Sequence, residues 1–238
     1  GIAQMMHLPH LAERPDLFTI AALCDVDKAT LHAVGARYGV TALYRDVASL
    51  IANGEVEAVL VCSGGSHRDV VERALAANKH LFVEKPLGFS LPETEALASL
   101  AKGSACTLMV GTHKRYDPAF QRALRALEGD PVRFASVTVL HPDDGDYRTH
   151  HAILPEPARE RAPVSELAME AGALAAVKSG PLSGLLDEVV GKDADEGHRV
   201  AALMLFQSLI HDVDLVRTVL GEPEEVESAV TWRRGFAQ

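Results

Sequence analysis

Leu81-Phe82-Val83-Glu84-Lys85-Pro86-Leu87-Gly88 is the stretch whose reading decides the fold. Its apolar start, Leu81 to Val83, passes into a charged pair and then a proline. A short apolar run bounded by turn residues reads as a buried strand. Pro86 biases Lys85 toward extended backbone and has no N–H to donate, so Glu84 and Lys85 are held at the strand's end and are not carried into a helix. In an open α/β sheet, ligands bind in the crevice outside the carboxyl ends of the strands. A lysine there is either part of the chemistry or one half of a surface ion pair with Glu84. The pattern on both sides favours the first reading.

Strands and helices alternate outward from this segment. Leu17–Cys24, Glu57–Val61 and Cys106–Val110 are apolar strand candidates. Helices are expected over Lys28–Arg37, Val47–Asn53 and Arg68–Ala77, and from a Ser90/Glu93 capping box to Lys102. This alternation predicts parallel βαβ units, hence a Rossmann-type doubly wound parallel sheet over residues 1–115. Gly1-Ile2-Ala3 has the form of the end of a G-x-G-x-x-G/A phosphate turn, with Ala3 at the small third position. The earlier glycines and their strand are not in the sequence, so a chain lacking its first strand is expected.

Asp25 follows the second strand position about twenty residues past that turn, where a carboxylate accepts hydrogen bonds from the adenine ribose hydroxyls. An acid there repels a 2′-phosphate, which favours NAD over NADP. The alternative is that Asp25 or Asp27 only caps the next helix. Cys62-Ser63-Gly64-Gly65 opens from a strand end, and its glycines permit close approach of backbone to a ligand. It is a cofactor-contacting loop, a strand-to-helix turn capped by Ser66, or both.

The 238 residues can bury one large or two modest cores, and a composition 47% hydrophobic and 24% charged is that of an ordinary globular protein. A formal net charge of −10 disfavours nucleic acid or an anionic membrane as the main partner. No apolar run approaches the roughly twenty residues needed to cross a bilayer, and no secretory signal is visible. Cys24, Cys62 and Cys106 are odd in number and set in apolar runs, so reduced, buried thiols and a cytoplasmic location are expected. His7 and His10 are spaced i, i+3, and His150-His151 follow the acidic loop His141–Tyr147, but no metal site is expected from either group.

Glu84-Lys85-Pro86-Leu87, preceded by His67 and followed by Val110-Gly111-Thr112-His113-Lys114-Arg115-Tyr116-Asp117-Pro118, resembles the Gfo/Idh/MocA family of NAD(P)-dependent oxidoreductases. The resemblance runs from Gly1 to about Gln238 and is weakest between His141 and Arg199. It implies cofactor contacts from Gly1, Ile2, Ala3, Asp25, Cys62, Ser63, Gly64, His67, Glu84, Lys85 and His113. It also implies substrate contacts from Lys85, His113, Tyr116, Gln207 and His211. Where the family usually has Thr-Pro, this chain has Gly64-Gly65. Where the family has an aspartate four residues before its histidine, this chain has Gln207 before His211, and Asp214 matches the later acid. Gln207 and His211 are i, i+4, which puts them on one helical face.

The second half is expected to be an α+β domain, residues 116–238, with the mostly antiparallel open sheet that the resemblance implies. Asp117-Pro118 starts a helix, Val132–Leu140 and Val226–Trp232 are strand candidates, and short helices fill 152–198. Arg199–Leu220 is expected to be one long amphipathic helix ended by Gly221. The implied activity is hydride transfer between NAD and a sugar or cyclitol-like polyol, with Lys85 and His211 handling the proton. A closed site beside a cationic nicotinamide would lower the lysine pKa. Glutamine cannot take up a proton, so Gln207 leaves two alternatives: a nicotinamide-binding regulator without catalysis, or a relative that uses NAD to cleave glycosides. A homo-oligomer, dimer or tetramer, is implied by the same resemblance.

Overall fold

The computed structural model describes residues 1–127, 131–139, 150–155, 177–178, 182–228 and 230. The chain opens in a π-helical turn, Ala3–His7, that runs directly into α1, Leu8–Ala12. Pro9 sits in the first turn of α1, where its missing N–H costs little. There follow β1 (Leu23–Cys24), α2 (Lys28–Tyr38), β2 (Leu43–Tyr44), α3 (Val47–Ala52) and β3 (Ala58–Val61). Next come α4 (Arg68–Ala76), β4 (His80–Val83), α5 (Leu91–Lys102) and β5 (Leu108–Val110).

Every pairing is parallel: β1 with β2, and β3, β4 and β5 side by side in that order. The two sets are separate among the described residues, each with the parallel pairing of a Rossmann-type fold. Val61, Val83 and Val110 are in register, so the carboxyl ends of β3, β4 and β5 lie level with one another.

Side-chain chemistry fixes the helix ends. Asp27 accepts from the Ala29 and Thr30 N–H groups, and Gly39, at φ 68°, closes α2 in the left-handed conformation. Asp46 caps α3 and Asp117 caps the helix after the sheet. Ser90 caps α5 by accepting from the Glu93 N–H, while Glu93 reaches back to the Phe89 N–H, one residue beyond the N-cap partner of a standard capping box. Val59, Val61, Leu81 and Val83 pack against Val71, Ala74 and Leu75 of α4 and Leu97 of α5. Burying each of the large side chains contributes about 1.5–3 kcal/mol.

Past β5 come a 3-10 turn (His113–Tyr116), α6 (Pro118–Ala126), α7 (Ser183–Val190), α8 (Glu196–Met204), a π turn (Leu205–Leu209) and α9 (Ile210–Leu220). Val177, Leu186, Val200, Ala202 and Leu203 form a second buried cluster. No helix among the described residues is long and apolar enough to cross a membrane.

Several expectations are corrected. The strand expected over 17–24 is confined to Leu23–Cys24, where β2 offers a ladder partner, and Leu17 and Phe18 are exposed. Residues 131–139 carry no strand, and Phe134 is 84% exposed. Alternation marks a segment able to pair but does not supply its partner. Residues 226–228 and 230 carry none either, with Val226 and Val230 exposed. The elements beyond residue 116 are therefore helical among the described residues. The single helix expected over 199–220 starts at Glu196 and is interrupted by the π turn. The three thiols are free and half-buried, not fully buried. Leu140, the loop His141–Tyr147 and most of 152–198 lie outside the described residues.

Candidate active site

β4 delivers Lys85 to the carboxyl edge of the sheet. The ladder persists one step past the strands, since the Glu84 N–H donates to Val61 C=O at 2.9 Å and the Gly111 N–H to Val83 C=O at 2.8 Å. The backbone then diverges through the cis Lys85–Pro86 peptide. Lys85 extends its side chain to the distant helical segment, where Nζ donates to the Gln207 main-chain carbonyl. That carbonyl lies in the π turn, where the regular i→i+4 ladder is interrupted. Burial pushes the Lys85 pKa below the usual lysine range, and the Glu84 carboxylate opposes this more weakly.

Glu84 is committed to its neighbours. Oε1 lies 2.6 Å from His7 Nε2, and Oε2 accepts from the Lys85 N–H at 3.3 Å. Burial would raise this carboxyl, but the hydrogen bond and charge of His7 outweigh it and hold the group below its ordinary value. The His7 ring stands edge-on to Phe82 at 5.4 Å. A Cβ at Gly111 would meet that phenyl ring at 3.1 Å, so only glycine lets the end of β5 pack this closely.

His211, on α9, is 8% exposed. Its ring meets His113 edge-on, with centroids 4.5 Å apart. Burial, then the charges of Lys85, His113 and Lys114, lower its pKa to about 4 against the weaker pull of Glu84. His211 is therefore neutral at physiological pH, and its Nδ1 is buried without a hydrogen-bond partner among the described residues. Two ion pairs fix the histidines against each other. Lys114 Nζ contacts Asp212 Oδ1 at 2.7 Å, and the Arg115 fork takes both oxygens of Asp214. Neither pair is foreseen from the sequence; the only signal is two adjacent bases in one segment and two acids at i, i+2 in another. Asp214 thus serves Arg115.

Gln207 is exposed while His211 is buried. Gln207 lies within the π turn, and His211 stands in α9 directly after it. Tyr116 is 60% exposed, and His113 is exposed apart from its ring contact.

Residues expected at a dinucleotide lie along the same edge and its neighbour. The Gln4 and Met5 N–H groups bond to Gly1 C=O, which leaves Ile2 and Ala3 in a first turn whose N–H groups suit an anion. Cys62 feels both the Gly1 amino group and Glu84; burial first, then Glu84, pushes its thiol up to about 12, so it stays protonated and inert. The space beside Gly64 and Gly65 is open, and Gly65 has φ 86°. Asp27 is the helix cap; Asp25 is not, and its Oδ1 accepts from the Asp27 N–H at 2.8 Å. First-turn amides for phosphates and a fixed carboxylate for a ribose diol fit a dinucleotide. Asp25 follows β1 of the two-stranded set, whereas Lys85 follows β4 of the three-stranded set.

His67 departs from its expected role as a cofactor contact. It is 2% exposed, with Nδ1 3.0 Å from Pro86 C=O and Nε2 2.8 Å from Ser63 C=O. Both ring nitrogens are already occupied by main-chain carbonyls.

Residues 1–112 match the family model described as "Oxidoreductase family, NAD-binding Rossmann fold". The chain is 34% identical over 114 residues to a D-apiose dehydrogenase of Paraburkholderia graminis, covering 48% of this chain and 30% of that protein. It is 32% identical over 112 residues to a myo-inositol 2-dehydrogenase of Thermotoga maritima, covering 47% and 34%. The chain thus spans about a third of the length of these curated relatives. A solved structure of a probable dehydrogenase from Thermotoga maritima superposes with a TM-score of 0.55 at 23% identity, covering 89% of this chain and 51% of the other; this likeness is one of fold.

Proposed function

We propose that the chain, whose residues 1–112 match the model of the NAD-binding Rossmann-fold oxidoreductase family, binds NAD and oxidises or reduces a sugar or cyclitol-like polyol. The observation that carries this reading is that Lys85, at the carboxyl edge of β4, is anchored on the Gln207 carbonyl and acts by its charge on His211 just beyond. One is a lysine of lowered pKa; the other is a neutral imidazole with a buried, unpartnered Nδ1. The relatives' substrates, apiose and myo-inositol, set the chemical class.

Gly1, Ile2 and Ala3 would hold the pyrophosphate, Asp25 the adenine ribose, and Cys62, Ser63 and Gly64 the far side of the dinucleotide. A bound nicotinamide supplies the hydride acceptor. Lys85 Nζ takes the hydroxyl proton, and a depressed pKa makes the free amine accessible near neutral pH. To do so it must release the Gln207 carbonyl or be reached by the substrate beside it. Nδ1 of His211 offers a hydrogen bond to the reacting oxygen, and His113, Tyr116 and Gln207 contact the rest of the substrate. Residues 1–115 then form the cofactor domain and 116–238 the substrate and assembly domain of a cytoplasmic homo-oligomer.

Lys85→Ala is expected to abolish turnover on a panel of sugars and polyols while NADH still binds within about threefold of wild type, about 0.7 kcal/mol. Full activity in that variant refutes the assignment. One observation favours a second reading: Gln207 stands where the family's aspartate would be. A nicotinamide-binding regulator would bind NADH and turn over nothing on the same panel, even as wild type.

A further inference from the structure

We infer that His67 is a positioning residue that sets Lys85 by tying the loop after β3 to the loop after β4; this rests on the proposed reading of Lys85. Past Val61 and Val83 the two loops have left the ladder, and among the described residues no backbone bond holds one to the other beyond Glu84 N–H to Val61 C=O. The His67 ring bridges the gap. Nε2 meets the carbonyl of Ser63, in the glycine loop, and Nδ1 meets the carbonyl of Pro86, directly after Lys85. The ring is fully enclosed at 2% exposure, and its own backbone is fixed because the Val71 N–H bonds to His67 C=O at the start of α4.

Imidazole suits this task because its two nitrogens point in divergent directions from one rigid plane. A neutral ring donates to one of the two carbonyls, the tautomer choosing which, and both nitrogens donate only in the imidazolium; the two N–H donors of an Asn or Gln share a single nitrogen and cannot span the gap in the same way. Both partners are main-chain atoms, so the geometry passes directly to the backbone of Pro86, and through it to Lys85. The loops joined are the one proposed to flank the dinucleotide and the one bearing the proton acceptor. His67 therefore fixes the distance between cofactor and base without touching either.

The test uses the full chain labelled with [ε-¹³C]lysine, with Lys85 assigned by its loss in Lys85→Arg. The pH titration of Lys85 is followed by NMR in wild type, His67→Ala and His67→Gln, with and without added imidazole. In wild type Lys85 titrates below the other lysines. In His67→Ala its midpoint moves up toward theirs, kcat on the active polyol falls about tenfold, about 1.4 kcal/mol, and KM and NADH affinity stay within about threefold. Imidazole, filling the enclosed cavity, restores both the midpoint and kcat. His67→Gln, which keeps one of the two contacts, lies between and serves if His67→Ala does not fold. An unmoved Lys85 midpoint in either variant overturns the inference, as does imidazole that restores thermal stability without restoring the midpoint. A wild type without polyol turnover defeats the proposed function alone, because the lysine titration still reads the positioning.

Discussion

Replacing His211 tests the electrostatics of the site without assuming its chemistry. The folded ring has a pKa of about 4 against an ordinary value of 6.5, chiefly through burial and then through Lys85, His113 and Lys114. The unfolded chain therefore binds a proton that the native ring refuses, and stability falls as pH drops from about 6.5 toward 4. Integrated between pH 8 and pH 5, the loss comes to about 2 kcal/mol, and to about 1 kcal/mol once water reaching the cleft is allowed for. His211→Asn removes the titrating group while keeping a polar side chain. Urea unfolding of both proteins at the two pH values gives the comparison, and every other titrating group cancels in the difference. With an m-value of about 2 kcal/mol per molar, the wild-type midpoint should drop about 0.5–1 M more than the variant's. Parallel losses in the two proteins would refute the argument and place His211 in a solvated setting.

Two further outcomes follow from the site. Asp25→Ser should shift the preference between NADH and NADPH toward NADPH by about tenfold, about 1.4 kcal/mol, read by cofactor fluorescence; an unchanged ratio would remove Asp25 from the ribose. Arg115→Ala breaks the forked pair with Asp214 and should cost about 1–2 kcal/mol in urea unfolding, with the His113–His211 contact loosened; no loss would make the fork a solvated pair.

The βαβ half was legible because its signals are local. The caps Asp27, Ser90 and Asp117, the stop at Gly39 and the strand before Lys85 each depend on a few adjacent residues. Lys85 and His211 also emerged as candidates, through the family resemblance. What escaped was set by distant partners. His7 turns to Glu84, across 77 positions of sequence, and Gln4 pairs its side-chain amide with both main-chain groups of Leu154. Neither bond has a periodic trace. The π turn escaped for another reason: a helical pattern of apolar residues does not record whether one turn carries an extra residue.

The anchor of Lys85 on a main-chain oxygen gives position 207 an unusual genetic profile. Whatever side chain occurs there, the carbonyl remains, so point substitutions should pass unnoticed by the lysine. Adding or deleting one residue between Leu205 and Leu209 would instead carry the carbonyl out of reach. As far as that anchor is concerned, homologous chains are free in letter at this site but held to one length, and any constraint on the letter comes from the substrate.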